Sequence, residues 1–236
     1  LRCLHAAQVS TPDIANRLRD HVPQIAVFPN QLSVLPAQAT KTDATTRIFI
    51  GAYNRGEDWA EISDKANVVL GCFGDRIQVE VVHDKNIFDS LRVPNKHFTP
   101  RCPYQDYLEL LGSCHIALLP LRDTAFNRSK SDLKFIECAS HGVAALAPLT
   151  VYAASLEDGK TGVLYRSPLE FAVGLQRLIQ EVDLRQRVTT GARAYVANTR
   201  MLADHYEVRH AWYLKLVHEA DALRAEHRAR APELYD

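Results

Sequence analysis

The stretch HIALLPLRDTAFNRSKSDLKFIECASHGVAALAP, residues 115–148, decides the fold. Its opening, His115–Pro120, is a short aliphatic run closed by proline, which reads as a central strand. A polar loop, Leu121–Ser129, follows. An amphipathic helix is then expected from about Ser131 to Ser140. His141-Gly142 closes it, because glycine adopts the left-handed conformation that ends helices. Val143–Pro148 is again a strand. Strand, helix and strand within roughly thirty residues make a βαβ unit with its strands parallel.

The same alternation extends on both sides. Arg47–Gly51 (RIFIG) is a strand, followed by a helix from about Glu57 to Leu70. Ile77–His83 is a strand with both faces only partly buried. A short strand near Lys96–Thr99 precedes a helix from Pro103 to about Ser113. Gly162–Tyr165 is the last strand. Helices follow over about Pro168–Glu181 and Asp183–Asn198, with one long helix from Ala203 to about Ala229. The fold class is therefore α/β, a Rossmann-like doubly wound parallel sheet with extra C-terminal helices.

The first 46 residues differ. Ala7–Ser10 and Ile25–Pro29 read as short strands flanking a helix that starts at Thr11-Pro12. Gln31–Thr46 is a polar linker rich in Pro, Ala and Thr. Three parts are expected: residues 1–46 as the end of a preceding domain plus linker, 47–200 as the ligand-binding domain, and 201–236 as the long C-terminal helix.

Composition narrows the function. With 47% apolar residues the chain supports a substantial core. Lys plus Arg (28) equals Asp plus Glu (28), so the basic excess of a nucleic-acid binder is missing. Five cysteines without a C-x-x-C pair read as free thiols in a reducing, cytoplasmic compartment. No apolar run reaches the ~18–20 residues of a membrane span, and no signal peptide is evident. A chain starting at Leu1 rather than Met reads as a fragment of a longer polypeptide.

In an open parallel sheet, ligands sit outside the carboxyl ends of the strands. Three loops qualify. In the helix after Leu121–Ser129, Lys130, Lys134, Glu137 and His141 would fall on one stripe. Two lysines four apart repel by roughly 0.2–0.5 kcal/mol, and cations in a first turn oppose the helix dipole by about 0.3–1 kcal/mol each. A diphosphate would offset both, using free N–H groups at Ser129, Ser131 and their neighbours together with the ammonium charges. Glu137 would then accept hydrogen bonds from ribose hydroxyls. A solvated charge stripe is the plain alternative.

The second loop, Gly51-Ala52-Tyr53-Asn54-Arg55-Gly56, places Arg55 where its planar fork could reach a phosphate. The third, Pro148–Gly162, carries Tyr152 and a Glu157-Asp158-Gly159 turn, and reads equally well as a surface connection. His83-Asp84 ends a strand at the ligand edge, although a structural histidine is commoner there. No G-x-G-x-x-G, G-x-x-x-x-G-K-[ST] or G-x-S-x-G motif is present, and no zinc spacing.

These features in this order resemble the C-terminal domain of GT-B-fold glycosyltransferases of the large retaining family with an E-x7-E motif, the group 1 or family 4 type. Val9-Ser10 and Val27-Phe28-Pro29-Asn30 resemble the link from the N-terminal domain. Ile50-Gly51 through Arg55 resembles its first strand and phosphate loop, and Ile116–Pro120 its central strand. Phe135-Ile136-Glu137-Cys138-Ala139 with Gly142-Val143 is the most specific match, and Glu157–Leu164 is similar to the family's "dG-tGll" turn. The resemblance implies transfer of a sugar from a nucleoside-diphosphate sugar, UDP or GDP, to an acceptor glycan, lipid or protein, without a metal or other cofactor. It implies that Glu137 holds the ribose, that Lys130 or Lys134 together with Arg55 forms the basic pair acting on the diphosphate, and that an N-terminal domain binds the acceptor. It also implies that the long C-terminal helix crosses back onto that domain. The chain departs from the pattern where Ser129 replaces the first motif glutamate, Ala154 stands near a later one, and Gln31 rather than Gly follows Asn30. A non-catalytic module of the same fold and a sugar-nucleotide epimerase are the alternative readings.

Overall fold

A computed structural model describes residues 2–41, 45–51 and 53–235; residues 42–44 of the expected linker and Ala52 of the second loop lie outside the described residues. The chain begins with β1 (Ala6–Val9), α1 (Pro12–Leu18) and β2 (Gln24–Val27). β1 and β2 pair in parallel as a small sheet of their own. Thr11 caps α1 through its hydroxyl, and Pro12 occupies the first turn, where a missing N–H costs nothing.

The main sheet follows. β3 (Thr46–Gly51) leads to α2 (Gly56–Ala60) and α3 (Ser63–Gly71), then to β4 (Ile77–Val82). The single helix expected over residues 57–70 is thus two, offset at Glu61-Ile62, where Ile62 turns inward to 2% exposure. α4 (Lys85–Ser90), β5 (Lys96–Thr99) and α5 (Tyr104–Gly112) come next. β6 (Ile116–Leu118), α6 (Ala125–Arg128), α7 (Leu133–Ser140), β7 (Ala144–Pro148), α8 (Leu149–Tyr152) and β8 (Val163–Tyr165) complete the alternation. All six strands are parallel in the order β5-β4-β3-β6-β7-β8.

Alternate residues along each strand supply two cores, one on each face of the sheet. Ile48, Ile50, Ile116 and Leu118 point to a layer containing Leu70 of α3 and Phe171 and Leu175 of α9 (Pro168–Gln180). Phe49, Ala117, Ala145 and Ala147 point to the opposite layer, with Leu111 of α5 and Phe135 and Ile136 of α7. α10 (Val182–Thr199) spans both, placing Leu184 and Val188 in the first core and Ala192 and Val196 in the second. β4 is more deeply buried than its sequence implies: even Glu80 is 2% exposed, paired with Arg47 at 2.9 Å.

The expected long C-terminal helix is two, α11 (Tyr206–His218) and α12 (Ala220–Arg230), broken at Glu219 with φ −90° and ψ 9°. Both pack on the small N-terminal sheet. Tyr213 donates to Gln8 at 2.8 Å, Trp212 meets Phe28 edge-on, and Arg230 donates to the carbonyls of His21 and Leu4. Among the described residues no helix is long and apolar enough to cross a membrane.

Glycine is required where α10 crosses the Glu157–Gly162 turn. A Cβ on Gly191 would collide with the carbonyl oxygen of Lys160, whereas one on Gly71 of α3 meets nothing within 4 Å. Gly191→Ala should therefore lower stability by about 1–3 kcal/mol, while Gly71→Ala should raise it by about 0.4–1 kcal/mol. Paired urea titrations check the opposite signs.

Candidate functional site

β3 and β6 lie side by side, yet the chain continues from β3 toward one edge of the sheet and from β6 toward the other. Their loops diverge and leave a crevice at the carboxyl edge, where open α/β sheets hold ligands. Two adjoining hollows occupy it. One, of about 730 Å³, is lined by Arg55, Ser129, Lys130, Ser131, Lys134 and Tyr152 and floored by apolar groups such as Phe126. The other, of about 710 Å³, is lined by Gly51, Tyr53, His83, Tyr104, Tyr107 and Glu137. Lys134 borders both. Asn54 lines neither; it turns the loop in the left-handed region at φ 53°, which Asn tolerates.

Glu137 is 4% exposed. Tyr104 donates to its Oε1 at 2.8 Å and Tyr107 to its Oε2 at 3.3 Å. The Lys134 ammonium in turn donates to the Tyr107 hydroxyl at 3.0 Å and lies 5.0 Å from that ring's centre. Burial pushes both phenols above their ordinary range, and the neighbouring Glu137 charge adds to it. Burial also lowers the Lys134 ammonium, against the pull of Glu137. Gly51 lets the β3 terminus approach this group, since a Cβ there would collide with the rings of Phe49 and Tyr107.

The sequence pattern set Lys130 and Lys134 four apart on one helix. The structure corrects this: α7 begins at Leu133, after an Asp132 N-cap, so Lys130 and Ser131 precede the helix. Tertiary contacts hold them out. Arg200 pairs with Asp132, Asn30 donates to the Ser131 hydroxyl at 2.7 Å, and the Ser129 hydroxyl donates to Asp13. Lys130 instead lies over the Phe126 ring, 4.8 Å from its centre. Burial and then the nearby Arg55 lower its proton affinity. His141 leaves the stripe as well. It caps the far end of α7, with its Nδ1 2.9 Å from the carbonyl oxygen of Glu137.

Arg55 reaches the crevice but is already partnered. Its Nη1 donates to Asp58 at 2.9 Å, and Asp58 also accepts from the Arg122 N–H at 3.0 Å and from Asn127 at 2.9 Å. Burial alone would raise the Asp58 carboxyl; these donors outweigh it and hold the pKa below the ordinary value. No carboxylate lines the first hollow among the described residues, although Asp58 behind it holds Arg55. Tyr152 is 2% exposed and closes the wall. The Glu157–Gly162 turn lies elsewhere, docked on α10 through Arg187 and Gly159.

His83 ends β4 at φ 76°, with its Nδ1 buried and without a hydrogen-bond partner, edge-on to Tyr53. Burial lowers its proton affinity, and Lys134 and Arg101 lower it further. Tyr104, Tyr107 and Asp58 were not singled out from sequence. The tyrosines stand three apart, the spacing that puts two side chains on one helix face, and Asp58 stands three from Arg55. Among the described residues no cluster of His, Cys, Asp and Glu is arranged to hold a metal ion.

Residues 57–215 match a family described as glycosyl transferase-like. A mutant of S. aureus TarM in complex with fondaparinux, alpha-GlcNAc-glycerol and UDP is similar at 12% identity and TM-score 0.68, covering 86% of this chain and 43% of that one. Anabaena HepE in complex with UDP-glucose is similar at 11% identity and TM-score 0.69, covering 87% and 63%. The C-terminal domain of a glycosyl transferase group 1 family protein from Francisella tularensis is similar at 16% identity and TM-score 0.56, covering 66% and 87%. The chain thus spans about half the length of TarM and HepE and most of the isolated C-terminal domain. At these identities the likeness is one of fold, the C-terminal domain of GT-B enzymes. Among curated proteins no match is found.

Asp58 anchors the loop that carries Arg55, so its loss is measurable by stability alone. Asp58→Asn should cost about 2–3 kcal/mol at pH 7, the range for hydrogen bonds to a charged group. Because the folded pKa is depressed, the wild-type advantage is present above the unfolded value of about 3.9 and disappears as pH falls through the folded pKa. Thermal melts of both proteins from pH 7 to pH 2 should converge only at the acid end.

Proposed function

The chain belongs to the glycosyl transferase-like family matched over residues 57–215, and from that premise we propose that it is the donor-binding domain of a glycosyltransferase using a nucleoside-diphosphate sugar. One observation carries the reading: a crevice with cations and, among the described residues, no carboxylate in one hollow adjoins a buried glutamate held by two tyrosines in the next, at the point where the sheet reverses. The diphosphate occupies the first hollow against Lys130, Lys134 and Arg55. The ribose reaches Glu137, exchanging its hydroxyls for the Tyr104 contact, and the base lies among Tyr53, Tyr104 and His83.

Chemically, the bond from the anomeric carbon to the diphosphate oxygen breaks, and the leaving nucleotide takes the electron pair. Cations already in place stabilise that growing charge without reorganising. The acceptor hydroxyl forms the new bond and releases its proton. Residues 1–46 serve as the end of a preceding domain plus linker, residues 47–200 as the donor domain and residues 201–236 as a return onto that preceding domain. UDP and UDP-glucose in the TarM and HepE structures make UDP the first nucleotide to test. A second reading, a non-catalytic module of the same fold, is favoured by one observation: the Ser129 hydroxyl, where the resemblance expects a carboxylate, is directed to Asp13.

Calorimetric titration with UDP, GDP and ADP should show one nucleoside diphosphate binding, with Lys130→Ala weakening it at least about tenfold, or 1.4 kcal/mol. Glu137→Gln should weaken that nucleotide more than it weakens inorganic pyrophosphate, because only the former carries a ribose. Equal losses for both ligands would end the ribose assignment.

A further inference from the structure

Beyond the crevice, over the carboxyl ends of β6, β7 and β8, lies a separate cavity of about 460 Å³. Asp58 and Glu61 reach it from α2 and its end, Arg122, Asp123 and Arg128 from the connection between β6 and α7, and Tyr165 and Arg166 from the end of β8. Leu121 is the one residue that borders both this cavity and the first hollow.

The charges in its wall balance. The guanidinium groups of Arg122, Arg128 and Arg166 stand against the carboxylates of Asp58, Glu61 and Asp123. Asp123 holds Arg128 through both oxygens, at 2.6 and 2.8 Å. Arg122 donates to Glu57, and Arg166 lies 3.7 Å from Glu170. A phosphate would have to displace carboxylates already on these cations, whereas an uncharged ligand leaves the pairs intact.

Three hydrogen-bonding groups in the wall are left over. Tyr165 is 6% exposed and edge-on to Phe171, yet its hydroxyl has no hydrogen-bond partner among the described residues. The Arg122 Nε is buried and likewise without a hydrogen bond, 3.7 Å from Asp58. The Glu61 carboxylate has neither a hydrogen bond nor an ion pair among the described residues. Buried phenols ordinarily find a partner, and a buried polar group left without one is costly. Two donors and one charged acceptor thus border the same space.

We propose that this cavity is a second ligand site, distinct from the crevice, for a neutral sugar. A hydroxyl group donates and accepts at once, which is what this set of side chains calls for. Sugar hydroxyls accept from Tyr165 and Arg122 and donate to Glu61. Ser167, whose Oγ already accepts from the Glu170 N–H at 3.2 Å, keeps its own proton for one more. The volume lies within the range of small-molecule sites, which run from roughly 300 to 1,000 Å³. Asp58 borders the cavity and holds Arg55 at 2.9 Å, so the occupant also rests against the anchor of the crevice loop.

The test is NMR of the chain with ¹³C-labelled tyrosine rings, titrated with glucose, galactose, N-acetylglucosamine and inorganic phosphate. Tyr165→Phe removes one signal and so identifies that of Tyr165. The expected result is a saturable shift of the Tyr165 signal with at least one of the three sugars, in the millimolar range, and none with phosphate. This readout needs only the wild-type chain, so it stands whether or not a variant folds. Glu61→Ala should weaken that sugar at least about tenfold, the scale of a lost hydrogen bond to a charged group, and Lys130→Ala should leave it unchanged. No saturable shift with any of the three sugars, unchanged affinity in Glu61→Ala, or loss in Lys130→Ala instead would overturn the site. Phosphate shifting the Tyr165 signal as strongly as a sugar would overturn the neutral class of ligand. None of these outcomes depends on the crevice binding a nucleotide.

Discussion

Where β3 and β6 pair, the chain leaves them in opposite directions across the sheet, and the remaining architecture is constrained by that reversal. Both strands are buried on both faces, so each face needs a helical layer. Crossovers between parallel strands are right-handed, so reversing the direction of travel moves the crossover helix to the opposite face. α3 therefore packs on one layer with α9, and α7 on the other with α5 and α10. The two loops that start these crossovers separate over the gap between β3 and β6. The crevice is thus a consequence of sheet order, and the residues in it are those that the order brings there.

Electrostatics then distinguishes these residues. Arg55 is neutralised by Asp58, and Lys134 is linked to Glu137 through the Tyr107 hydroxyl. Lys130 is left over an aromatic face. Repulsion between helical lysines and opposition to the helix dipole are each worth under about 1 kcal/mol. Neither holds for Lys130, which lies before the helix. Desolvation is the larger effect, several kcal/mol for a buried ion before compensation. It acts strongly on the buried Lys134 and only weakly on the more exposed Lys130, although burial is the leading cause of lowering for both ammonium groups.

The central strands were legible because β3, β6 and β7 are short, largely apolar runs, as strands buried on both faces of a parallel sheet must be. The group at Glu137 was legible only in part. Its own position followed from the motif, but Tyr104 and Tyr107 come from a different helix, and no local pattern links residue 137 to residues thirty before it. Helix ends were misread where distant groups set them. Arg200 and Asn30 hold Asp132 and Ser131 out of α7, and Ile62 turns into the core and splits the helix after β3. The break at Glu219 has the same origin, because it lets α12 reach the backbone carbonyls of Leu4 and His21. Periodicity continues through such a site, while packing does not.

The two ends of the chain bear on the crevice through that packing. Thr11 donates to the Ser129 carbonyl, Ser129 to Asp13, Asn30 to Ser131, and Arg17 to the Ala125 carbonyl. Every segment from α6 to the start of α7 is thus tied to the region before the linker, and that region is in turn covered by α11 and α12. The loop carrying Lys130 has few regular backbone bonds of its own to fix it between α6 and α7. Its position follows from side chains more than 100 residues away in sequence. A displacement of the N-terminal segment therefore moves Lys130 relative to Lys134, which is fixed separately on α7. The spacing between the two lysines is consequently a tertiary quantity, set by the contacts of α1 and Asn30 with the segment between α6 and α7 rather than by one continuous helix.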